Sequence, residues 1–156
     1  MDEIRLTGGC QCGAVRYAIA ALPDSVSICH CRMCQKATGG AFLVTGTVPA
    51  QALTWTRGQP ATFQSSSVAA RDFCAHCGTP LSFRFTPGSR ISVTLGSLDQ
   101  PSHMQPTEQI GIEARMAWWD RMDALPQTAT SMPDGIGAPV NHQHPDHDTT
   151  EWTPLA

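Results

Sequence analysis

Apolar and polar residues alternate most clearly in LSFRFT, residues 81–86, and RISVTL, residues 90–95, with Pro87, Gly88 and Ser89 between them. Leu81, Phe83 and Phe85 fall on one side of such a strand and Ser82, Arg84 and Thr86 on the other, so a period of two predicts a hairpin with one buried face. Ala14 to Ile19, Phe42 to Thr47 and Leu53 to Arg57 read as further short strands, and Gly39-Gly40 and Val48-Pro49 read as breaks. The one short helical pattern runs from Cys31 to Ala37. No internal repeat is visible. The pattern predicts a mainly β domain of antiparallel sheets with short helical turns.

At 156 residues and 41% hydrophobic, the chain suits one domain with an ordinary core, and no apolar run approaches the roughly 18 residues of a membrane span. Composition shifts at Ser131: SMPDGIGAPVNHQHPDHDTTEWTPLA has four prolines and few core residues. This divides the chain into a folded domain over 1–130 and an extended tail over 131–156. In that setting His142, His144 and His147 read as solvated residues rather than a metal tract. Sequence leaves open whether the tail lies along its own domain or along a partner chain, and a homodimer stays open with it. Net charge is −3, Lys36 is the only lysine and no basic run occurs, which argues against a nucleic-acid surface.

Seven cysteines change the picture. They fall in three clusters: Cys10 and Cys12, then Cys29, Cys31 and Cys34, then Cys74 and Cys77. Thiolate is the usual soft ligand for zinc, and an odd total argues against a closed disulfide set. MDEIRLTGG carries acids and no apolar run, so nothing directs these thiols to an oxidising compartment, and reduced cysteines in the cytoplasm are expected. Gly13 follows Cys12 and Gly78 follows Cys77, each allowing a tight turn around a metal, whereas Gln35 follows Cys34. The simplest partition joins Cys10, Cys12, Cys74 and Cys77 in a closed structural zinc site and leaves Cys29, Cys31 and Cys34 as an open catalytic one, giving two Zn2+ per chain. A rival partition pairs Cys31 and Cys34 with Cys74 and Cys77 as a zinc ribbon and leaves Cys10, Cys12 and Cys29 spare.

GGCQCGAVRY, CHCRMCQKATGGAF, FCAHCGTPLSF and GSLDQP, in that order and spacing, resemble the glutathione-dependent formaldehyde-activating enzyme family, also called the GFA or CENP-V domain family. The resemblance covers Leu6 to Pro126. It implies an Mss4-like (β-tent) fold with one structural and one catalytic zinc, divided among the cysteines as in the first partition. It also implies carbon–sulfur lyase chemistry of the S-(hydroxymethyl)glutathione synthase kind, with a small-molecule thiol such as glutathione and an aldehyde such as formaldehyde as partners. Gln109 stands where members of the family often carry a histidine, so the resemblance carries the reaction class further than the substrate.

Three thiolates suit that chemistry on their own account. Their charge weakens the Lewis acidity of a bound zinc, yet the centre can still capture an incoming thiol and hold it deprotonated beside an electrophile. His30, His76 and His103 are the histidines that would compete for a fourth position. His30 and His76 are pinned beside ligands and default to exposed or supporting roles, which leaves His103 free to reach. Thr38 and Gly39 follow the ligand loop and are expected to line a substrate pocket. Arg32 reads either as a carboxylate partner or as a solvated charge, and Trp55, Trp118 and Trp119 read as packing residues, the last two near enough to wall the open site. The alternative to an enzyme is a non-catalytic, zinc-stabilised binding module.

Overall fold

A computed structural model describes residues 5–153; residues 1–4 of the expected domain and 154–156 of the expected tail lie outside the described residues. The strands are β1 (Leu6–Gly9), β2 (Arg16–Ile19), β3 (Ser25–Cys29), β4 (Leu43–Pro49), β5 (Leu53–Arg57), β6 (Ala61–Ser66), β7 (Ala69–Phe73), β8 (Pro80–Phe85), β9 (Arg90–Thr94) and β10 (Glu108–Ile110). Among the described residues one α-helix, α1 (Arg32–Thr38), interrupts them, together with short 3₁₀ helices of which the last is Trp119–Ala124. Among the described residues they form a three-stranded sheet in the order β1-β2-β5 and a seven-stranded sheet in the order β10-β3-β4-β9-β8-β7-β6.

The protein is mainly β, as its alternation predicts, but the large sheet is mixed. Its pairings are antiparallel except that β10 runs parallel to β3, with Glu108 opposite Ser27 and Ile110 opposite Cys29. A three-residue strand carries too little periodicity to declare its direction, and a parallel partner reached after a long crossover leaves no turn signal. The expected hairpin forms between β8 and β9, but its one-face pattern fails: Phe85 is 61% exposed while Ser82 is buried. Ser82 is drawn inward because its hydroxyl donates to the buried Asp72 carboxylate at 2.6 Å. The break expected at Val48-Pro49 falls at its second residue. Val48 is fully buried in β4, and Pro49 closes that strand at its last position, where a missing N–H costs least.

The core lies between the sheets. Leu6, Tyr17 and Ile19 of the small sheet meet Val26, Val48, Leu81, Ile91 and Val93 of the large one, and Cys10 and Cys74 belong to the same buried cluster. Burying such side chains contributes roughly 1.5–3 kcal/mol each. The GSLDQP stretch ties this core down. Ser97 shares a 2.7 Å hydrogen bond with the buried Tyr17 hydroxyl, and Asp99 accepts from both terminal nitrogens of buried Arg16, at 2.7 and 2.5 Å.

Beyond Ala124 the described chain has no helix or strand, and most of 125–143 is exposed. It then returns to the domain. The His144 amide donates to the Gln11 carbonyl at 2.7 Å, Asp148 pairs with Arg16 at 2.8 Å, Arg57 donates to the Thr149 carbonyl at 2.5 Å, and Trp152 Nε1 donates to the Cys12 carbonyl at 2.8 Å. In this structure the segment from His144 to Trp152 lies along the chain's own domain.

Candidate metal centre

Cys10 and Cys12 sit in the turn from β1 to β2, and Cys74 and Cys77 in the turn from β7 to β8. Their four sulfurs all lie within 4.8 Å of one another. Cys10 and Cys12 are 3.6 Å apart and Cys12 and Cys74 are 3.9 Å apart, far beyond the roughly 2.05 Å of a disulfide. A tetrahedral zinc with bonds of about 2.3 Å to sulfur requires sulfur–sulfur edges of roughly 3.8 Å. The cluster has that shape. It also unites Cys74 and Cys77 with Cys10 and Cys12 rather than with Cys31 and Cys34, so the ribbon pairing does not occur.

Both turns are built alike. Gly13 and Gly78 each take φ 77°, a left-handed conformation that glycine enters without steric cost. In one turn the Cys10 amide donates to the Val15 carbonyl and the Gly13 amide to the Cys10 carbonyl; in the other the Cys74 amide donates to Thr79 and the Gly78 amide to Cys74. The thiols themselves are unequal. Burial pushes Cys10 up to about 12. For Cys77 burial also pushes upward but is outweighed by hydrogen bonds from Thr79 and Cys12, which bring the thiol down to about 6. Four packed sulfurs that resist shared ionisation are a donor set that calls for a soft dication.

The second cluster is local. Cys29 ends β3, Cys31 caps the N-terminus of α1 from an extended conformation, and Cys34 lies in the first turn of the helix. Their sulfurs also lie within 4.8 Å of one another, and among the described residues no fourth cysteine, histidine or acid joins them. Burial pushes Cys29 up to about 12. Burial pushes Cys31 upward too, but hydrogen bonds from the Cys34 amide and from the neighbouring thiols hold it below the ordinary thiol value. Gln35, fully inside the fold, clamps this loop by donating to the carbonyls of His30 at 2.7 Å and Ala114 at 2.9 Å.

The histidines settle into three different roles. His30 is 0% exposed, shares a 3.0 Å hydrogen bond with the Gln109 side chain, and meets Trp119 edge-on at 4.7 Å between ring centroids. His30 is thus buried between Cys29 and Cys31 in sequence, and Gln109 meets their loop through it. His76 is exposed at the tip of its turn. His103 lines a separate cavity with Arg5, Asp99 and Asp148, so it does not reach the three cysteines as a fourth ligand. Trp119 packs beside His30 and Phe42, whereas Trp118 stays half exposed. Trp55 packs edge-on against Tyr17.

Two cavities flank α1. The larger, about 490 Å³, is lined by Arg32, Met33, Lys36, Phe63, Ser65 and Arg71; the other, about 300 Å³, is lined by Thr38, Leu43, Phe63, Arg71, Phe73 and Thr94 among others. Thr38 faces the second of them. Gly39 is the left-handed cap that ends α1, with open space where a Cβ would project. Arg32 donates to Gln35 at 2.6 Å while lining the larger cavity. Sequence reading passed over Arg71, which lines both cavities and donates to the Cys34 sulfur at 3.4 Å. The available signal was an Arg-Asp pair in a strand directly before a cysteine turn.

The family model described as glutathione-dependent formaldehyde-activating enzyme matches residues 5–114. An uncharacterized lyase of Schizosaccharomyces pombe is 30% identical over 81 residues, 52% of this chain and 58% of that protein, so the match spans little more than half of the relative's length. A crystal structure of a Rhodobacter sphaeroides protein is similar in fold, with a TM-score of 0.54 and 21% identity over 66% of this chain and 98% of that one.

Proposed function

Because the chain belongs to the glutathione-dependent formaldehyde-activating enzyme family, we propose that it is a zinc-dependent carbon–sulfur lyase acting on thiol–aldehyde adducts. The observation that carries this reading is the cluster of Cys29, Cys31 and Cys34, three sulfurs within 4.8 Å of one another where the other cluster has four; Arg71, which donates to Cys34, lines the two cavities beside α1. Four thiolates close a tetrahedral ion; three leave a position for a substrate.

A zinc held by Cys29, Cys31 and Cys34 would supply a site at which a substrate thiol is kept as thiolate at neutral pH. The residues of the chain do the rest. Gln35 and His30 fix the ligand loop, so the three sulfurs are held before substrate arrives. The larger cavity presents Arg32, Lys36 and Arg71 with no acid among its lining residues, which favours an anionic thiol; glutathione fits that description. In the forward direction the thiolate sulfur forms a bond to the aldehyde carbon, the carbonyl pair moves to oxygen, and that oxygen takes up the proton the thiol released. In reverse the hydroxyl loses its proton, the carbon–sulfur bond breaks, and thiol and aldehyde part.

The test is a screen of small thiols against formaldehyde and other aldehydes with metal-replete protein, read as loss of free thiol after subtraction of the spontaneous reaction. Catalysed consumption that disappears in Cys31→Ser supports the reading. Equal consumption by both proteins across the screen would leave the binding module as the better account.

A further inference from the structure

Arginine stays charged under all protein conditions, and a buried charge is costly unless something of opposite sign meets it. Arg71 is only 9% exposed. The ion pairs among the described residues join Arg5, Arg16, Arg84, Arg90 and Arg115 to aspartates and leave Arg71 out. Its neighbour Asp72 cannot serve, because alternate residues of a strand face opposite ways, and Asp72 is taken up by Arg84, Ser82 and Thr62. Arg71 rests its guanidinium 4.9 Å from the Phe83 ring centroid and donates Nε to Ser65, neither of which carries charge. Its remaining partner is the sulfur of Cys34, itself buried.

We propose that Arg71 is a positioning residue for the three-cysteine centre, supplying the positive charge that offsets its thiolates and opens the adjoining cavity to an anionic sulfur. This rests on the reading of Cys29, Cys31 and Cys34 as ligands of one dication. Three thiolates on a dication carry a net charge of −1 and repel a fourth; a permanent cation bonded to one ligand sulfur reduces both the crowding of charge and that repulsion. Among the described residues no arginine donates to a sulfur of the four-cysteine cluster, whose partners include the Val15 amide, the Thr79 hydroxyl and one another. A closed site admits no further anion, so no cation is required there to draw one in.

The test compares full-length, zinc-loaded parent protein with Arg71→Gln, which keeps a donor without charge, and Arg71→Lys, which keeps charge without the planar fork. Circular dichroism checks folding. Chelator competition is read on the more labile ion, and the sulfur-to-metal absorption band is read after replacement by Co2+. Arg71→Gln is expected to release the labile ion roughly 10–100-fold more readily and to shift the band, with the tighter ion unaffected. Arg71→Lys should recover most of that loss. Parent-like retention by Arg71→Gln, or a folded Arg71→Lys that loses the ion as readily as Arg71→Gln, overturns the proposal. If Arg71→Gln does not fold, Arg71→Lys alone decides: retention of the labile ion supports the charge role and its loss refutes it. A parent protein inactive toward every thiol–aldehyde pair that still gives the Gln–Lys contrast refutes the lyase reading and leaves Arg71 its role; an active parent with an indifferent Arg71→Gln does the reverse.

Discussion

The two cysteine clusters hold similar atoms at similar distances and are embedded in opposite ways. Cys12 and Cys74 are 62 residues apart, and their cluster joins a turn of the small sheet to a turn of the large one. Cys29, Cys31 and Cys34 lie within one connection from β3 to α1. The first cluster is part of the buried core, with the returning C-terminal segment over Cys12 and a cavity of about 250 Å³ against Cys10; the second sits at the start of α1, and Arg71 links its Cys34 to the two cavities flanking that helix. Ligation that spans the chain acts on stability, because it restricts a long loop in the unfolded state, whereas ligation within one loop has little to hold together beyond itself.

The sharpest break of this comparison is Cys77→Ala. Losing a ligand of the spanning cluster should remove its ion and with it a contribution comparable to the roughly 5–15 kcal/mol that holds a small domain folded. Zinc analysis and circular dichroism would check it, and a well-folded variant with two zinc ions would refute the assignment. Cys31→Ser should give the opposite result: a native spectrum, one zinc, and thiol-dependent aldehyde consumption at the uncatalysed rate.

Asp99→Asn tests whether the core around the spanning cluster depends on its buried ion pair. Removing one partner leaves Arg16 buried without its main counter-charge, at a cost of about 3–5 kcal/mol in chemical denaturation. Burial raises the Asp99 carboxyl, but hydrogen bonds from Arg16 and Thr7 outweigh it and hold it below the ordinary carboxylate value. A carboxyl whose folded value is depressed binds fewer protons in the native state, so its stabilisation is complete above about pH 4 and is lost as pH falls through the lower folded value. Asp99→Asn should lack that part of the acid limb, with zinc release followed separately by a metal indicator because thiolate ligands are themselves lost to acid. The smallest effect is expected from Trp152→Ala, which loosens the cover over Cys12: roughly 2 kcal/mol, less than a fully buried aromatic loses, with faster zinc release from the four-cysteine cluster only.

The sequence made the site more legible than the sheet. Cysteine spacing and the two following glycines were local signals, and Gly13 and Gly78 share one backbone angle as that reading implies. Leu53 to Arg57 is a strand over the expected residues, and α1 begins one residue after the expected start. What stayed hidden depends on distant partners. Phe85 alternates correctly yet lies outside, because the position of β8 in the sheet rather than its period decides what covers it. Gln35 looked like a mere absence of glycine and proved to be a clamp, since its two acceptors include a carbonyl 79 residues away. The prolines and aspartates of the tail suggested solvation, and only the fold brings Asp148 and Trp152 back to Arg16 and Cys12.

The separation of the clusters along the chain also orders events during synthesis. Cys29, Cys31 and Cys34 emerge together and can capture an ion as soon as their own loop is free, long before Cys74 and Cys77 exist. Cys10 and Cys12 meanwhile wait as an unpaired half-site, able to compete for that same ion until the β7–β8 turn arrives. The returning segment with Trp152 follows later still, and its indole reaches that turn by donating to the Cys12 carbonyl. The four-cysteine turn region is thus synthesised in full before the segment that covers it.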